Sequence, residues 1–497
     1  MPINNDLHDG DFKAFFQERL VAAVESYAAA HAENPAWFYK QVSLAPSLAR
    51  DLYANALKDP GLQQLCQRQW QRQMAGEQSP QAAEAREIAF DNPHVLAVAR
   101  IINDSGTHLL LRVPLMVQIK RWLRLHGLIA CGLGAAILHF LRRRLRSLPP
   151  CDVLSNPRGG KHRRHLQPLV ARSNLQFRLF DDREWPPVRL ADLWRLRAYS
   201  TMLGIGLSAI KYEAAIRYFR PRAVLTVEGD SVQDCLLAQT AQAFGVYAVC
   251  LHWGAPITPF VKIGYRNFQG DEFLSWGEYF TEIFREFSPR LKFRNVGNHK
   301  LEPQTAAAGD RRKVVLLHQK DAYFFDPASL RACMDFFLAA AAQFPEWEFV
   351  IRPHPNEPLP EADLERLQAI PNLRLDDSRK VSLAKTMEGA LLSVSMNTTA
   401  ALEAMCSGVI PFFFNPSGLV PDYQRRLAEL GCGCLVEDVQ AALPSFAEWL
   451  NDPALQTRAR ENIEKNRRFF FERTGEAALD AIVKALRAAV GEGSWPD

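Results

Sequence analysis

The chain has 497 residues, of which 48% are hydrophobic and 23% are charged, and its formal net charge is +4. This length exceeds what one hydrophobic core usually supports, so we expect two or three domains. The small net charge argues against a dedicated nucleic-acid-binding protein. Nine cysteines without a CxxC pair indicate a reducing, cytoplasmic compartment and no usual zinc site, and the polar residues 1–10 predict no secretory signal.

Residues 1–149 are rich in helix formers and predict a helical N-terminal region, with helices at 11–30 and 63–74. Within this region, the mostly apolar segment 123–141 has basic residues on both sides. Two interpretations stay open: a helix that rests on an anionic inner membrane surface, or a buried core helix with a solvated basic end. Pro149 and Pro150 end the region.

Residues 150–304 alternate short apolar strand patterns with helical ones. Strands are predicted at 152–155, 175–180, 223–227, 247–251, 273–276 and 293–296, and helices at 190–219 and 231–244. Such alternation indicates a parallel sheet with helices on both faces. The alanine-rich and charged segment 305–312 predicts an interdomain linker.

Residues 305–497 repeat this alternation and end in three predicted helices. Their main strands are predicted at 313–317, 348–352, 390–396 and 409–414. The predicted fold class is therefore α/β, with two Rossmann-like domains (150–304 and 305–497) that face a cleft, preceded by the helical region 1–149.

Polar turns follow the strands of the second half, and ligands of parallel sheets bind at the carboxyl ends of strands. Two prolines hold His354 in a rigid turn, where its imidazole suits a phosphate oxygen. Asn397 and Thr398 precede a helix whose free amides suit an anion, although a plain N-cap is the alternative. Glu403 is placed to accept from ribose hydroxyls, or is simply a solvated carboxylate. The predicted donor-binding residues are His318, Gln319, Lys320, Arg352, His354, Ser395, Asn397, Thr398, Thr399 and Glu403.

The first half offers candidate catalytic groups. Glu228 and Asp230 follow a strand, and either carboxylate suits a general base or a nucleophile. The alternative for Asp230 is an N-cap of the next helix. His252 follows the neighbouring strand and is predicted to orient an acid or a leaving group. Arg158, Lys161 and His162 surround a glycine pair and predict a flexible cationic loop for a sugar carboxylate or an acceptor, or else a solvated basic loop.

The turn at 352–355 resembles the His-Pro motif, and Ser395 with residues 397–399 resembles the Ser/Thr motif, of GT-B glycosyltransferases that use CMP-activated donors. The pattern is most similar to the bacterial capsule and lipopolysaccharide Kdo transferases. More distantly, it resembles bacterial sialyltransferases and teichoic acid polymerases. The resemblance implies a CMP-sugar donor, a glycan or glycolipid acceptor, no metal and no separate cofactor. It also implies a catalytic acid in the first half, for which Asp230 is the first candidate and Glu228 the second.

Three questions stay open at the level of sequence. Attack by a carboxylate of the enzyme gives retention of the anomeric configuration, whereas direct attack by the acceptor gives inversion. A second enzymatic hypothesis is a phosphotransferase that uses a CDP-polyol donor. A hypothesis of another class is a non-catalytic nucleotide- or glycan-binding protein at the membrane.

Overall fold

The computed structural model describes residues 10–74, 88–90, 92–103, 111–143, 150–157, 159–181, 183–229, 231–254, 265–301, 312–319, 327–355, 359, 361–418 and 420–492. Three predicted site residues, Arg158, Asp230 and Lys320, lie outside the described residues. For Lys161 only the backbone is described.

The N-terminal region is helical, as its composition predicts. Its helices are α1 (Gly10–Ala30), α2 (Ala45–Ala56), α3 (Pro60–Met74), α4 (Pro93–Asn103) and α5 (Leu115–Arg143), with a 3-10 helix at Pro35–Trp37. Two short strand pairs were not predicted: β1 (Phe38–Tyr39) with β2 (Val42–Ser43), and β3 (Ile88–Ala89) with β4 (Leu111–Arg112). Helices α1 to α4 enclose a hydrophobic core of their own.

The first half contains a sheet of six strands, which we call the first sheet. Its strands are β5 (Val153–Ser155), β6 (Phe177–Leu179), β7 (Ala223–Val227), β8 (Tyr247–Leu251), β9 (Glu272–Ser275) and β10 (Lys292–Asn295). Their spatial order is β10-β9-β8-β7-β5-β6, and all pairs are parallel. The helices are α6 (Gly159–Ser173), α7 (Leu190–Arg195), α8 (Leu203–Phe219), α9 (Val232–Gln242) and α10 (Glu278–Phe287).

The single helix predicted at 190–219 is wrong in one respect, because the structure divides it. A 3-10 segment, Leu196–Met202, separates α7 from α8, and Tyr199 within it has non-helical dihedral angles. The Tyr199 hydroxyl donates to the carbonyl oxygen of Phe38 at 2.6 Å. This tertiary contact with β1 accompanies the break, and a period-based prediction has no means of detecting it.

The second half contains the second sheet, also of six parallel strands. These are β11 (Lys313–Leu317), β12 (Glu348–Arg352), β13 (Leu373–Leu375), β14 (Ala390–Ser395), β15 (Ile410–Phe414) and β16 (Cys434–Val436). Their spatial order, β13-β12-β11-β14-β15-β16, is the Rossmann order 3-2-1-4-5-6. The helices are α11 (Pro327–Gln343), α12 (Glu361–Gln368), α13 (Leu383–Met387), α14 (Thr399–Cys406), α15 (Asp422–Glu429), α16 (Val439–Asn451), α17 (Pro453–Phe470) and α18 (Gly475–Glu492).

The predicted fold class is confirmed: two Rossmann-like α/β halves of the GT-B type follow a helical region. Every residue of the central strands β7, β11 and β15 is buried, as two-sided helical cover requires. The predicted boundary between 304 and 305 lies outside the described residues and stays a prediction.

The last helix belongs structurally to the first half. Leu479, Ile482 and Leu486 of α18 share a buried cluster with Val227 and Leu251 of the first sheet. The chain therefore returns from the second half to the first between α17 and α18. On the way, the amide of Asn298 donates to the carbonyl oxygen of Arg473 at 2.9 Å, and the Trp276 and Phe471 rings lie 5.6 Å apart.

Helix α5 contains the segment 123–141, and it is buried on one side and exposed on another. Leu125, Ile129 and Gly132 are buried on one side, where Gly132 lies against the side chain of Leu193 in α7. Other apolar side chains of α5, such as Leu123, are exposed. Among the described residues, no helix is both long and apolar enough to cross a membrane.

At the crossing between the halves, one glycine is expected to be essential for stability. Gly297 has φ +90°, and a Cβ there would lie 2.0 Å from the carbonyl oxygen of Arg473. We expect Gly297→Ala to destabilise the protein by about 2–5 kcal/mol, since backbone strain and a clash add together. The matched control is Gly389→Ala, because Gly389 has φ +71° but open space around it; strain alone gives about 1–2 kcal/mol. Thermal unfolding of both variants tests this, and equal losses would contradict the role of the crossing.

Candidate active site

Backbone hydrogen bonds place the predicted polar turns side by side along the carboxyl edge of each sheet. In the second sheet, β11 lies between β12 and β14, and the amide of His318 donates to the carbonyl oxygen of Arg352 at 3.0 Å. In the first sheet, the amide of Glu228 donates to the carbonyl oxygen of Leu251 at 3.0 Å. Each sheet therefore brings its candidate residues to one edge, as parallel pairing predicts.

The two edges approach each other at one point, and we call the space beside this point the gap. A Cβ placed on Gly254, which follows β8, would lie 4.0 Å from Thr399 Oγ1 at the start of α14. The turn after β8 and the turn after β14 therefore line the same gap. This contact brings residues of the predicted catalytic half next to residues of the predicted nucleotide half.

Several buried polar atoms at the second edge have no hydrogen-bond partner in the described part of the chain. They are Ser395 Oγ, Asn397 Nδ2 and His318 Nδ1. The side chain of Asn397 is held in place because its Oδ1 accepts from the Tyr423 hydroxyl at 2.7 Å. A buried polar atom without a partner costs roughly 1–3 kcal/mol. A bound ligand that supplied the missing partners would recover this cost.

The two imidazoles of this edge interact electrostatically. Burial lowers the pKa of His318, and a protonated His354 lowers it further, while the Asp363 carboxylate acts in the opposite direction. A neutral His318 is therefore favoured, and a charged His354 beside it strengthens that preference. His354 is partly exposed, where an anionic ligand would favour its protonated form.

Helix α14 begins with the predicted hydroxyl residues. Thr398 is the N-cap, and its hydroxyl accepts from the amide of Ala400 at 3.2 Å. The plain-cap alternative thus describes Thr398, whereas Thr399 is the residue that approaches Gly254. Glu403 lies one turn further along and is partly exposed, on the same face as Thr399. The positive end of the α14 dipole consequently points to the gap.

The guanidinium of Arg352, a predicted donor-binding group, forms several hydrogen bonds within the protein. It donates to Thr386 Oγ1 at 2.6 Å, to Asp376 Oδ2 at 3.1 Å and to the carbonyl oxygen of Val381 at 2.9 Å. The ion pair with Asp376 is buried. Arg352 therefore fixes the segment 376–386 behind the edge.

In the first half, the turn after β7 has an unusual backbone. Glu228 has φ +78° and Gly229 has φ +79°. A non-glycine residue in this region is strained, and such strain is concentrated at functional sites. A Cβ at Gly229 would lie 2.5 Å from Cys250 Sγ, so the glycine is required there. The N-cap of α9 is Ser231, whose hydroxyl accepts from the amide of Asp234, so the capping alternative considered for Asp230 is wrong.

His252 also departs from its prediction. Its Nδ1 accepts from the amide of Trp276 at 3.2 Å, and its Nε2 lies 2.8 Å from the carbonyl oxygen of Gly254. Burial lowers its pKa to about 3, so the ring is neutral. Both nitrogens are engaged, and the ring stacks on Trp276 at 4.1 Å. His252 therefore positions the turn at 252–254 and has no ring nitrogen to offer a leaving group.

The cationic segment after β5 is not the predicted loop, because α6 begins at Gly159. Lys161 and His162 thus occupy the first turn of a helix, where free backbone amides favour an anion. The ring of His162 lies 4.3 Å from that of Trp253. Sequence reasoning overlooked Lys300, whose Nζ lies 4.1 Å from the Trp253 ring centre and donates to the Trp253 carbonyl oxygen at 2.9 Å.

Sequence reasoning also overlooked Gln424, Asn415 and Tyr423, which lie at the carboxyl edge of the second sheet. The side-chain nitrogen of Gln424 donates to the carbonyl oxygen of Met396 at 2.7 Å, and its Oε1 accepts from Asn415 Nδ2 at 3.3 Å. Asn415 directly follows β15, so its position at a strand end was an available signal. Gln424 and Tyr423 lie on α15 and carried no such signal. Gln319, after β11, is partly exposed. Over the described ranges, no cluster of His, Cys, Asp and Glu has a metal-binding arrangement.

The buried, neutral His252 predicts a pH dependence of stability. An unfolded histidine gains a proton below about pH 6.5, whereas folded His252 stays neutral until about pH 3. Stability is therefore lost as pH falls through this window, and His252 accounts for about 2 kcal/mol between pH 7 and pH 5. We expect the melting temperature of His252→Asn to depend less on pH than that of the wild type. The control is His126→Gln, on exposed α5, and an unchanged slope in His252→Asn would contradict the assignment.

The chain matches no protein-family model and no curated protein. Among solved structures it is similar to the UDP-GlcNAc 2-epimerase from Neisseria meningitidis bound to UDP-GlcNAc, with 14% identity, 68% of this chain and 98% of that chain covered, and a TM-score of 0.47. It is also similar to S. aureus MnaA with UDP, with 12% identity, 69% of this chain and 98% of that chain covered, and a TM-score of 0.46. Acinetobacter baumannii MurG is similar with 13% identity, 72% of this chain and 96% of that chain covered, and a TM-score of 0.43. At these TM-scores the fold assignment rests on the strand orders of the two sheets.

Proposed function

We propose that the protein is a glycosyltransferase that moves a sugar acid, with Kdo as the predicted sugar, from a CMP donor to a bacterial surface glycan or glycolipid. Two structural observations support the proposal. The two carboxyl edges meet at Thr399 and Gly254, and the second edge presents buried polar atoms that need partners. The CMP donor itself rests on the resemblance of the 352–355 and 395–399 turns to the two CMP-binding motifs.

The nucleotide is assigned to the second half. The amides that begin α14, together with the helix dipole and His354, are suited to the single phosphate of CMP. Asn397 Nδ2 and Ser395 Oγ supply hydrogen bonds beside it, and the Glu403 carboxylate is assigned to the ribose hydroxyls. As the sugar leaves, these donors stabilise the charge on the departing phosphate.

The catalytic carboxylate is assigned to the turn after β7. In the retaining route, an oxygen of Asp230 bonds to the anomeric carbon as the bond from that carbon to the CMP phosphate oxygen breaks. The acceptor hydroxyl then displaces the carboxylate and gives up its proton to solvent water, so two inversions leave the configuration unchanged. Glu228 is the second candidate for this role, and its strained backbone supports a functional position. In the inverting route the same carboxylate takes the proton of the acceptor.

The sugar carboxylate is assigned to the cationic start of α6. Lys161 and His162 lie in its first turn, Arg158 precedes that turn in the sequence, and Lys300 contacts the same Trp253 ring as His162. Cations and free amides together suit a carboxylate. We further propose that the enzyme works at the inner face of the cytoplasmic membrane.

Nucleotide binding is tested by thermal shift with CMP, CDP, UDP and GDP. We expect CMP to raise the melting temperature most. His354→Ala and Asn397→Ala should each weaken CMP binding about tenfold, since each removes a hydrogen bond to a charged or buried group. The control is Asn451→Ala, at the exposed end of α16. A stronger response to UDP than to CMP would exclude the CMP donor class.

Turnover is tested with CMP-Kdo, CMP-sialic acid and CDP-glycerol as donors. We expect Asp230→Asn to lower kcat at least 10³-fold while CMP still raises the melting temperature, because the substitution removes a reacting group and leaves the nucleotide site intact. Glu228→Gln is the paired variant that ranks the two carboxylates. Turnover of CDP-glycerol alone would favour the phosphotransferase. A CMP response without turnover of any donor, unchanged by Asp230→Asn, would favour the binding protein.

A further inference from the structure

Helices α5 and α7 are in contact with each other, and both expose large apolar side chains, which we together call the α5–α7 face. It consists of Met116, Ile119, Leu123, Ile137, Leu190 and Trp194, which are between 42% and 62% exposed. On α5 these positions span about 30 Å of helix. Isolated exposed apolar residues are ordinary, but several large ones on one side of a helix indicate an interaction surface.

The exposed row does not arise from the packing of α5 onto the domain. Packing uses Leu125, Ile129 and Gly132, which are buried and follow helical spacing on the opposite side. Gly132 permits close approach, since a Cβ there would lie 2.6 Å from the side chain of Leu193 in α7. Helix α5 therefore has two apolar sides, of which one is used by the fold and the other faces solvent.

The charges around this face have one sign. Helix α5 carries five cationic residues, Lys120, Arg121, Arg124, Arg142 and Arg143, and its sequence contains no acidic residue. The segment 189–197 adds Arg189, Arg195 and Arg197. Its only acidic residue, Asp192, is buried and lies 3.2 Å from Lys40 Nζ. A partner that covers this face must therefore be anionic as well as apolar.

We propose that the α5–α7 face docks onto the anionic surface of a lipid bilayer. A second copy of the chain would bring two cationic surfaces together, which charge repulsion opposes. A bilayer instead offers acyl chains to the apolar row and anionic headgroups to the flanking cations. Trp194 fits this position, because its ring lies 4.0 Å below the Arg197 guanidinium and tryptophan favours the membrane interface. Helix α5 then lies in the plane of the membrane surface.

Docking by this face has a consequence that rests on the proposed function. Helices α5 and α7 pack on the first half, to which the catalytic carboxylate is assigned. Docking would hold that half at the membrane and leave the nucleotide half toward the solution. A glycolipid acceptor would then reach the gap without leaving the bilayer.

Docking is tested by vesicle co-sedimentation of the full chain. We expect binding to mixed phosphatidylglycerol and phosphatidylcholine vesicles, at least tenfold weaker binding to pure phosphatidylcholine, and loss of binding at about 0.5 M salt. Leu123→Gln with Trp194→Gln should weaken binding at least tenfold. Lys120→Gln with Arg124→Gln should weaken it about 30-fold. The matched control is Val439→Gln, an equally exposed apolar residue at 56% on α16.

Several outcomes would overturn the proposal. Equal binding to neutral and anionic vesicles would remove the role of the cations, and an equal effect of Val439→Gln would remove the role of the face. A dimer in sedimentation velocity that Leu123→Gln and Trp194→Gln dissociate, without vesicle binding by the wild type, would assign the face to a second copy. The CMP thermal shift of these variants separates the two proposals, since docking predicts that it stays at the wild-type value.

Discussion

The arrangement of the two halves depends on how the chain crosses between them. After α17, residues 471–474 run against the end of the first sheet, where Gly297 leaves no room for a side chain beside Arg473. Helix α18 then completes the hydrophobic cover of the first sheet. The last part of the chain thus contributes to the packing of the first half. Thr399 of the second half also approaches Gly254 of the first half at the gap.

The polar side chains of the candidate site are of two kinds: some hold the turns through hydrogen bonds within the protein, and others keep a polar atom that such bonds do not engage. Arg352 and His252 belong to the first kind, since their polar atoms are engaged by the protein. Their burial makes the turns at 352–355 and 252–254 rigid. Ser395, Asn397 and His318 belong to the second kind, since each keeps a buried atom without a partner among the described residues. A rigid frame around unsatisfied donors is what selective binding without large rearrangement requires.

The proposed reaction and the proposed membrane contact fit one arrangement of the molecule. The nucleotide is a small, charged, water-borne ligand, and its assigned site lies in the second half, whereas α5 packs on the first half. The catalytic carboxylate is assigned to the half that carries the α5–α7 face. A transferase that joins a soluble donor to a surface glycolipid has to bring these two environments to one gap, and a two-half fold with a cationic, apolar side on one half does so.

The sequence by itself determined the strands of the two six-stranded sheets and their parallel pairing, because burial on two faces imposes continuous apolar runs. It also determined the edge at which polar turns gather, because parallel strands end at one edge. It also pointed to Asn397 and His354 through their position after strands. It did not determine that Arg352 and His252 are consumed by internal hydrogen bonds, that Ser231 caps α9, or that Lys161 and His162 start a helix. It gave no signal for Lys300, Gln424 or Tyr423, which lie far along the chain from the turns they support. Only the tertiary structure decided these points, because a side chain's partners depend on which distant segments pack beside it, and local sequence carries no record of them.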